Sequence, residues 1–247
     1  MATVTDFRLY RTRLRCKKPF HIASGVSDVC EGLLLELISS EGVSGWGEAV
    51  PLPYLTYETL EGCISAIRQF LFPAIQGIAP WSFQEAHARM NRVVCGHPSA
   101  RAALDLALHD LAGRLFKIPV AELLGGECRP ILTNYSIGLC TPEKAAEEAR
   151  SIVEDGYHAV KLKVGDDPEE DVRRVKAVRQ AIGPDIKLRI DANEGWSLIG
   201  ATYALTRMEP WNIELVEQPL DRRDLRGSAT LRQRCNIPIT ADEGVRD

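Results

Sequence analysis

The spacing of apolar and polar positions changes character along the chain. Residues 4–14 and 31–39 carry strand-like patterns, the second reading Glu31-Gly32-Leu33-Leu34-Leu35-Glu36-Leu37-Ile38-Ser39. Ser40-Glu41-Gly42 is a turn signal, and a third strand begins at Val43 and runs to Val50. Such short connections predict an antiparallel meander. Between the first two strands, Pro19 to Asp28 reads as a mobile loop.

Residues 57–125 then read as helices. Thr56-Tyr57-Glu58-Thr59-Leu60-Glu61 opens one with a cap and an acidic first turn. A second starts near Ser82. A third runs from Ser99 to about Phe116, with Ala102, Ala103, Leu106, Ala107, Asp110 and Leu111 spaced as a face of mainly small residues. Leu123-Leu124-Gly125-Gly126 closes the region with a glycine signal for a helix end. Strands followed by helices predict an α+β domain of its own.

From about residue 130 strands and helices alternate strictly. The predicted strands are 131–137, 159–163, 186–191, 213–217 and 237–241, with helices over 142–154, 168–182, 198–208 and 224–234 between them. This order predicts a parallel sheet with right-handed crossovers. One polar or charged residue closes each strand: Ser136, Lys163, Asp191, Glu217 and Asp242. Their spacings of 27, 28, 26 and 25 residues are one βα unit each. Parallel strands point the same way, so these side chains are expected on one rim of the sheet, where (β/α)8 barrels build active sites.

A lone acid or lysine at a strand end is more often a cap or a surface ion pair. Here the common phase carries the argument. Asp191, Glu217 and Asp242 put three carboxylates on adjacent strands, and three such anions repel unless something neutralises them. An all-oxygen set suits a hard divalent cation, Mg²⁺ first. Lys161 falls on the same face as Lys163 by the two-residue period. Two lysines and a cation disfavour one another's charge, which lets a lysine amine act as a general base. Ser136 is the weakest member, since a serine there also caps helices. The five histidines show no phase with the repeat.

Composition narrows the class. The 247 residues carry 30 Lys and Arg against 34 Asp and Glu, a net charge of −4, so no basic stripe is available to neutralise a nucleic acid. No apolar run has the length of a membrane helix, and the first residues show no basic leader with an apolar stretch, which points to the cytoplasm. Seven cysteines, an odd number without a Cys-x-x-Cys pair, predict scattered reduced thiols rather than disulfides or zinc.

Lys161-Leu162-Lys163, Asp191-Ala192-Asn193, Glu217-Gln218-Pro219 and Asp242-Glu243 together resemble the muconate lactonizing enzyme branch of the enolase superfamily. Gly45-Trp46-Gly47-Glu48-Ala49 and Ala102 to Asp110 are similar to that family's capping domain. The resemblance implies an α/β protein with an α+β capping domain over 1–128. Residues 129–247 would form part of a (β/α)8-type barrel. It implies Mg²⁺ on Asp191, Glu217 and Asp242. Lys163 would remove a proton α to a carboxylate through an enediolate, assisted by the charge of Lys161. Enolase-type sites in general pair a lysine or histidine base with one or two Mg²⁺ ions in the same way.

Within the branch, Asn134 to Gly138 resembles the first barrel strand of dipeptide epimerases, where Ser136 would contact the substrate carboxylate. This implies an isomerase acting on a small carboxylate, a dipeptide, and a homo-oligomer in full-length form. Muconate cycloisomerase, o-succinylbenzoate synthase and N-acylamino acid racemase are the alternatives. The stretches 20–28 and 51–59 resemble substrate-closing loops, and neither carries Arg or Lys, which disfavours an acidic substrate side chain. Only 117 residues follow Pro130. That is five of eight βα units, so the expectation is a C-terminally truncated version of a longer protein, roughly 75 to 80 residues or more short. A lysine on the sixth strand and an Asp-x-Asp on the eighth, both implied by the resemblance, are not found. A non-catalytic fragment is therefore the reading from another class.

Overall fold

The computed structural model describes residues 1–23 and 25–245. It separates into two compact units, 1–15 with 29–130, and 16–28 with 131–247.

Strands β1 (Val4–Ile22), β2 (Gly25–Ser39) and β3 (Ser44–Ala49) form a sheet in that order, with the stretches 4–15, 29–39 and 44–49 in the first unit. β2 and β3 are antiparallel, with Leu33 opposite Ala49 and Leu37 opposite Gly45. Leu33, Leu35 and Leu37 are fully buried on one face, as their two-residue spacing requires. Helices follow: α1 (Leu60–Ala66), running through a π-helical turn at Ile67–Leu71 into α2 (Phe72–Ile75), then α3 (Phe83–Val93), α4 (Pro98–Phe116) and α5 (Val120–Leu123). The Thr59 hydroxyl caps α1 by accepting from Gly62 N–H at 3.1 Å. Glu58, one residue earlier, reaches across to accept from Ser99 N–H at 2.8 Å and so satisfies the first turn of α4.

The small face of α4 lies directly on β3. A Cβ at Gly47 would stand 1.9 Å from the Ala103 carbonyl oxygen, and one at Gly45 would stand 2.3 Å from that of Ala107. Helix and strand therefore touch backbone to backbone. Gly47→Ala is expected to force them apart and destabilise the protein by about 3 kcal/mol, the upper part of the usual overpacking range. A thermal melt of the variant checks this, and an unchanged midpoint would contradict the close approach.

The second unit holds a five-stranded parallel sheet, β4 (Tyr135–Ile137), β5 (Ala159–Lys163), β6 (Lys187–Asp191), β7 (Ile213–Glu217) and β8 (Ile239–Thr240), in sequential order. Helices α6 (Pro142–Glu154), α7 (Pro168–Ile182), α8 (Leu198–Met208) and α9 (Leu225–Arg234) alternate with the strands. Val160, Leu162, Leu188, Ile190 and Val216 face a core shared with Ala149, Val178, Leu205 and Leu231 of those helices. Their strand neighbours, Lys161, Lys163, Arg189 and Asp191, consequently occupy the opposite face. This is the strand–helix alternation and partial barrel expected from the sequence.

Three stretches differ from expectation. β4 and β8 are shorter than their apolar runs, and Ile131 and Leu132 lie exposed outside β4. The stretch 19–28 is not a loose loop: β1 continues to Ile22 and β2 starts at Gly25, with Ser24 outside the described residues. Main-chain bonding explains the order. Leu139 N–H donates to the His21 carbonyl at 2.8 Å, and Gly138 lets the two backbones approach. Lys18 also pairs with Glu148 of α6. All seven cysteines are free thiols. Among the described residues no helix is long and apolar enough to cross a membrane.

Candidate active site

The register of the parallel sheet decides which strand-end residues meet. Lys163 is aligned with Asp191, and Asp191 with Glu217, so these three form one row across β5, β6 and β7. Ser136 aligns with Lys161, one row lower. Glu217 aligns with Thr240, and Asp242 lies two residues past it, beyond the end of β8. The common phase inferred from spacing therefore holds for the middle three strands. It slips at the two outer ones, each of which has a single neighbour in the sheet.

Both lysines converge on one carboxylate oxygen. Asp191 Oδ2 lies 2.7 Å from Lys163 Nζ and 2.8 Å from Lys161 Nζ. Lys161 also donates to Glu217 Oε1 at 2.7 Å, and Lys163 to Asn193 Oδ1 at 2.7 Å. The Asp191 side chain is 1% exposed. Burial pushes its carboxyl upward, but the nearby charges of Lys163 and Lys161 prevail and hold it below the ordinary carboxylate range. For Lys161 burial acts downward, while its bonds to Asp191 and Glu217 outweigh that and raise it. Its nearest partners are these two carboxylates, which is why the balance runs upward.

The turns after β6 and β7 are unusual. Asn193 and Glu194 have φ of 41° and 67°, and Gln218 has 36°, left-handed values that side-chain-bearing residues seldom adopt. This conformation follows directly on the two acids. It lets Asn193 accept from Lys163 and donate through Nδ2 to Glu243 Oε1 at 3.0 Å. Gln218 Oε1 accepts from the N–H groups of Asp242 and Gly244 at 2.9 and 3.0 Å. Glu194 forms a forked pair with Arg222, whose hydrogen bonds hold its carboxyl below the ordinary range despite burial.

The expected trio of acids is only partly assembled. Among the described residues no three His, Cys, Asp or Glu side chains converge as a ready ligand set. Asp242 is exposed, whereas the adjacent Glu243 is buried on the Asn193 side. Its Oε2 is buried without a hydrogen-bond partner among the described residues. Burial, together with Asp242 and Asp191, pushes the Glu243 carboxyl upward. Asn193 and Glu243 are the site residues that spacing alone did not single out, although both lie inside the motifs that flank Asp191 and Asp242.

Residues 5–125 match the mandelate racemase / muconate lactonizing enzyme N-terminal domain, and residues 144–247 match the enolase C-terminal domain-like family. The crystal structure of a dipeptide epimerase from Enterococcus faecalis V583, complexed with Mg and L-Leu-L-Tyr, superposes with a TM-score of 0.95 at 36% identity, over 99% of this chain and 69% of that one. The chain belongs to the mandelate racemase / muconate lactonizing enzyme family of the enolase superfamily. Within this family, it is 37% identical to the hydrophobic dipeptide epimerase of E. faecalis, across 96% of its own length and 66% of that protein. It is 34% identical to the N-succinyl-L-Arg/Lys racemase of Bacillus cereus, across 98% and 66%. It thus spans about two thirds of the length of the curated relatives it matches.

The donor chemistry fits a hard cation. Asp191 and Glu217 offer carboxylate oxygens in one row, and they already draw two ammonium groups onto that row. The unpartnered Glu243 oxygen belongs to a carboxylate that bonds Asn193, two residues past Asp191. Every donor is oxygen, which selects Mg²⁺ over softer metals.

Proposed function

We propose that this family member is an isomerase that moves a proton α to a carboxylate, and that its substrate is a dipeptide with a neutral side chain. The carrying observation is the convergence of Lys161 and Lys163 on Asp191 beside Glu217 at the C-terminal rim of a parallel sheet. In this reading Asp191, Glu217 and Asp242 hold Mg²⁺. Bound there, Mg²⁺ supplies positive charge to the substrate carboxylate as its α-carbon is deprotonated.

This chain's residues do the rest. Lys163 Nζ takes the α-proton, and Asn193 Oδ1 orients that amine. Lys161 stays charged between Asp191 and Glu217 and favours negative charge on the substrate. Such stabilisation is greater in the transition state than in the ground state, which is what accelerates the step. Ser136, one row below, contacts the substrate carboxylate. The absence of Arg and Lys from 20–23 and 25–28 supports a neutral substrate side chain, as does the likeness to the hydrophobic dipeptide epimerase of E. faecalis.

The test is deuterium uptake at the α-carbon next to the free carboxylate, in D₂O with Mg²⁺. L-Ala-L-Leu is expected to exchange faster than L-Ala-L-Glu. The B. cereus relative favours a second reading, racemisation of an N-acylamino acid. N-succinyl-L-lysine exchanging faster than either dipeptide would move the assignment there. No exchange with any of the three would overturn the proposed chemistry.

A further inference from the structure

Helix α7 begins with four acids, Asp167, Glu169, Glu170 and Asp171. Three are unexceptional there. Asp167 caps the helix by accepting from Glu170 N–H at 2.9 Å, and Glu169 and Glu170 sit where the helix dipole favours negative charge. Asp171 differs. It is fully buried, and its carboxylate serves three partners outside its own helix and one within it.

Asp171 Oδ2 accepts from Gly165 N–H at 2.9 Å, from Asp166 N–H at 3.2 Å and from Trp196 Nε1–H at 2.9 Å. Its Oδ1 pairs with Arg174, one turn on and also buried. Arg174 Nε in turn donates to the Cys140 carbonyl at 2.6 Å. One ion pair therefore ties together the turns that leave β4, β5 and β6. Those turns follow Ser136, Lys163 and Asp191.

The last two turns have no slack. A Cβ at Gly165 would lie 2.2 Å from the Ala192 carbonyl oxygen, and one at Gly195 would lie 2.0 Å from that of Gly165. Val164 N–H donates to the Asp191 carbonyl at 2.9 Å, directly beside the Lys163–Asp191 contact. Any shift of the Gly165 turn thus moves Lys163 against Asp191.

Asp171 satisfies three N–H donors, but stability gives little reason to pair it with a buried Arg174. Desolvating two charges offsets most of their attraction, and well-packed apolar replacements are often neutral or stabilising. Fixed geometry is what the arrangement supplies, as supporting residues do around a reactive group. We propose that Asp171 and Arg174 are positioning residues for Lys163, holding its turn against that of Asp191. The inference rests on the proton-transfer reading above and deepens it.

The test uses Asp171→Asn and the double variant Asp171→Leu/Arg174→Met, which removes both charges together and leaves no buried guanidinium unpaired. Two readouts are taken. The first is α-proton exchange, where kcat is expected to fall about 10–100-fold with KM nearly unchanged. The second is the side-chain NMR signal of Lys163, expected to move in both variants and recorded below the melting transition of each, because the double variant leaves three N–H donors without their acceptor and melts lower than the parent. A double variant with parental kcat, or an unmoved Lys163 signal, would overturn the proposal. If the parent protein exchanges no substrate, the functional reading fails separately. The NMR signal then decides the positioning role alone, movement supporting it and constancy overturning it.

Discussion

Lys163→Ala is expected to abolish exchange of the substrate α-proton while leaving Mg²⁺ affinity largely intact. An α-proton beside a carboxylate is a very weak acid, and a positioned base typically contributes 10²–10⁴-fold to its removal. The expected loss is therefore about 10²–10⁴-fold. Asp191 and Glu217 keep their places in the row without this side chain, because Lys161 bonds both. Lys163→Arg sharpens the result. Arginine keeps the positive charge beside Asp191 but does not give up its proton in proteins. If Lys163 acts as base, both variants are inactive and the arginine variant is the more stable. Isotope exchange followed by NMR, with a Mg²⁺ titration alongside, separates the two roles. Exchange near the parental rate in the arginine variant would reduce Lys163 to a counter-ion for Asp191.

Why the sequence revealed Lys163 and not Asp171 has a physical answer. Strand ends recur once per βα unit, so Lys163, Asp191 and Glu217 announce themselves by their spacing, and the register puts them in one row. Family membership was equally legible, because four short motifs keep their order along the barrel strands and the matching stretches of the first domain precede them. Spacing does not fix register at the sheet's outer strands. Ser136 falls a row low on a three-residue strand, and Asp242 falls past the end of a two-residue one. Nor does it decide between adjacent acids: Asp242 and Glu243 differ by one position, and the turn held by Gln218 turns Glu243 inward. Asp171 shares its local signature with any acid in a first helical turn, and only the fold brings Trp196 and Gly165 to it. The 19–28 stretch looked loose because its order comes from main-chain pairing, with Leu139 N–H on His21, which leaves no mark on side-chain pattern.

Asp191→Asn is expected to destabilise the second unit by about 3 kcal/mol at pH 7, the low end of the cost of removing one partner from a buried ion pair. The low end applies because the lysine side chains retain 17% and 10% exposure. The substitution removes the charge that both ammonium groups share. It leaves Lys161 with Glu217, and Lys163 with the neutral Asn193 oxygen. The pH dependence should change sign. In the parent, Lys161 is raised by Asp191 and Glu217 against the pull of burial. Its contribution is therefore fully present below the unfolded lysine value and is lost as pH rises through the folded one. Without Asp191, burial, the largest single influence on Lys161, has one carboxylate fewer to oppose it, and the Lys161 value is expected to fall below that of the unfolded chain. Between that lowered folded value and the unfolded one, the unfolded chain binds more protons, so stability of the variant rises with pH there. Urea unfolding at pH 7 and pH 9.5 measures both effects. A variant as stable as the parent at pH 7 would show that Asp191 is dispensable to the lysines. A gap to the parent that stays constant between the two pH values would show that Lys161 does not titrate in response to its loss.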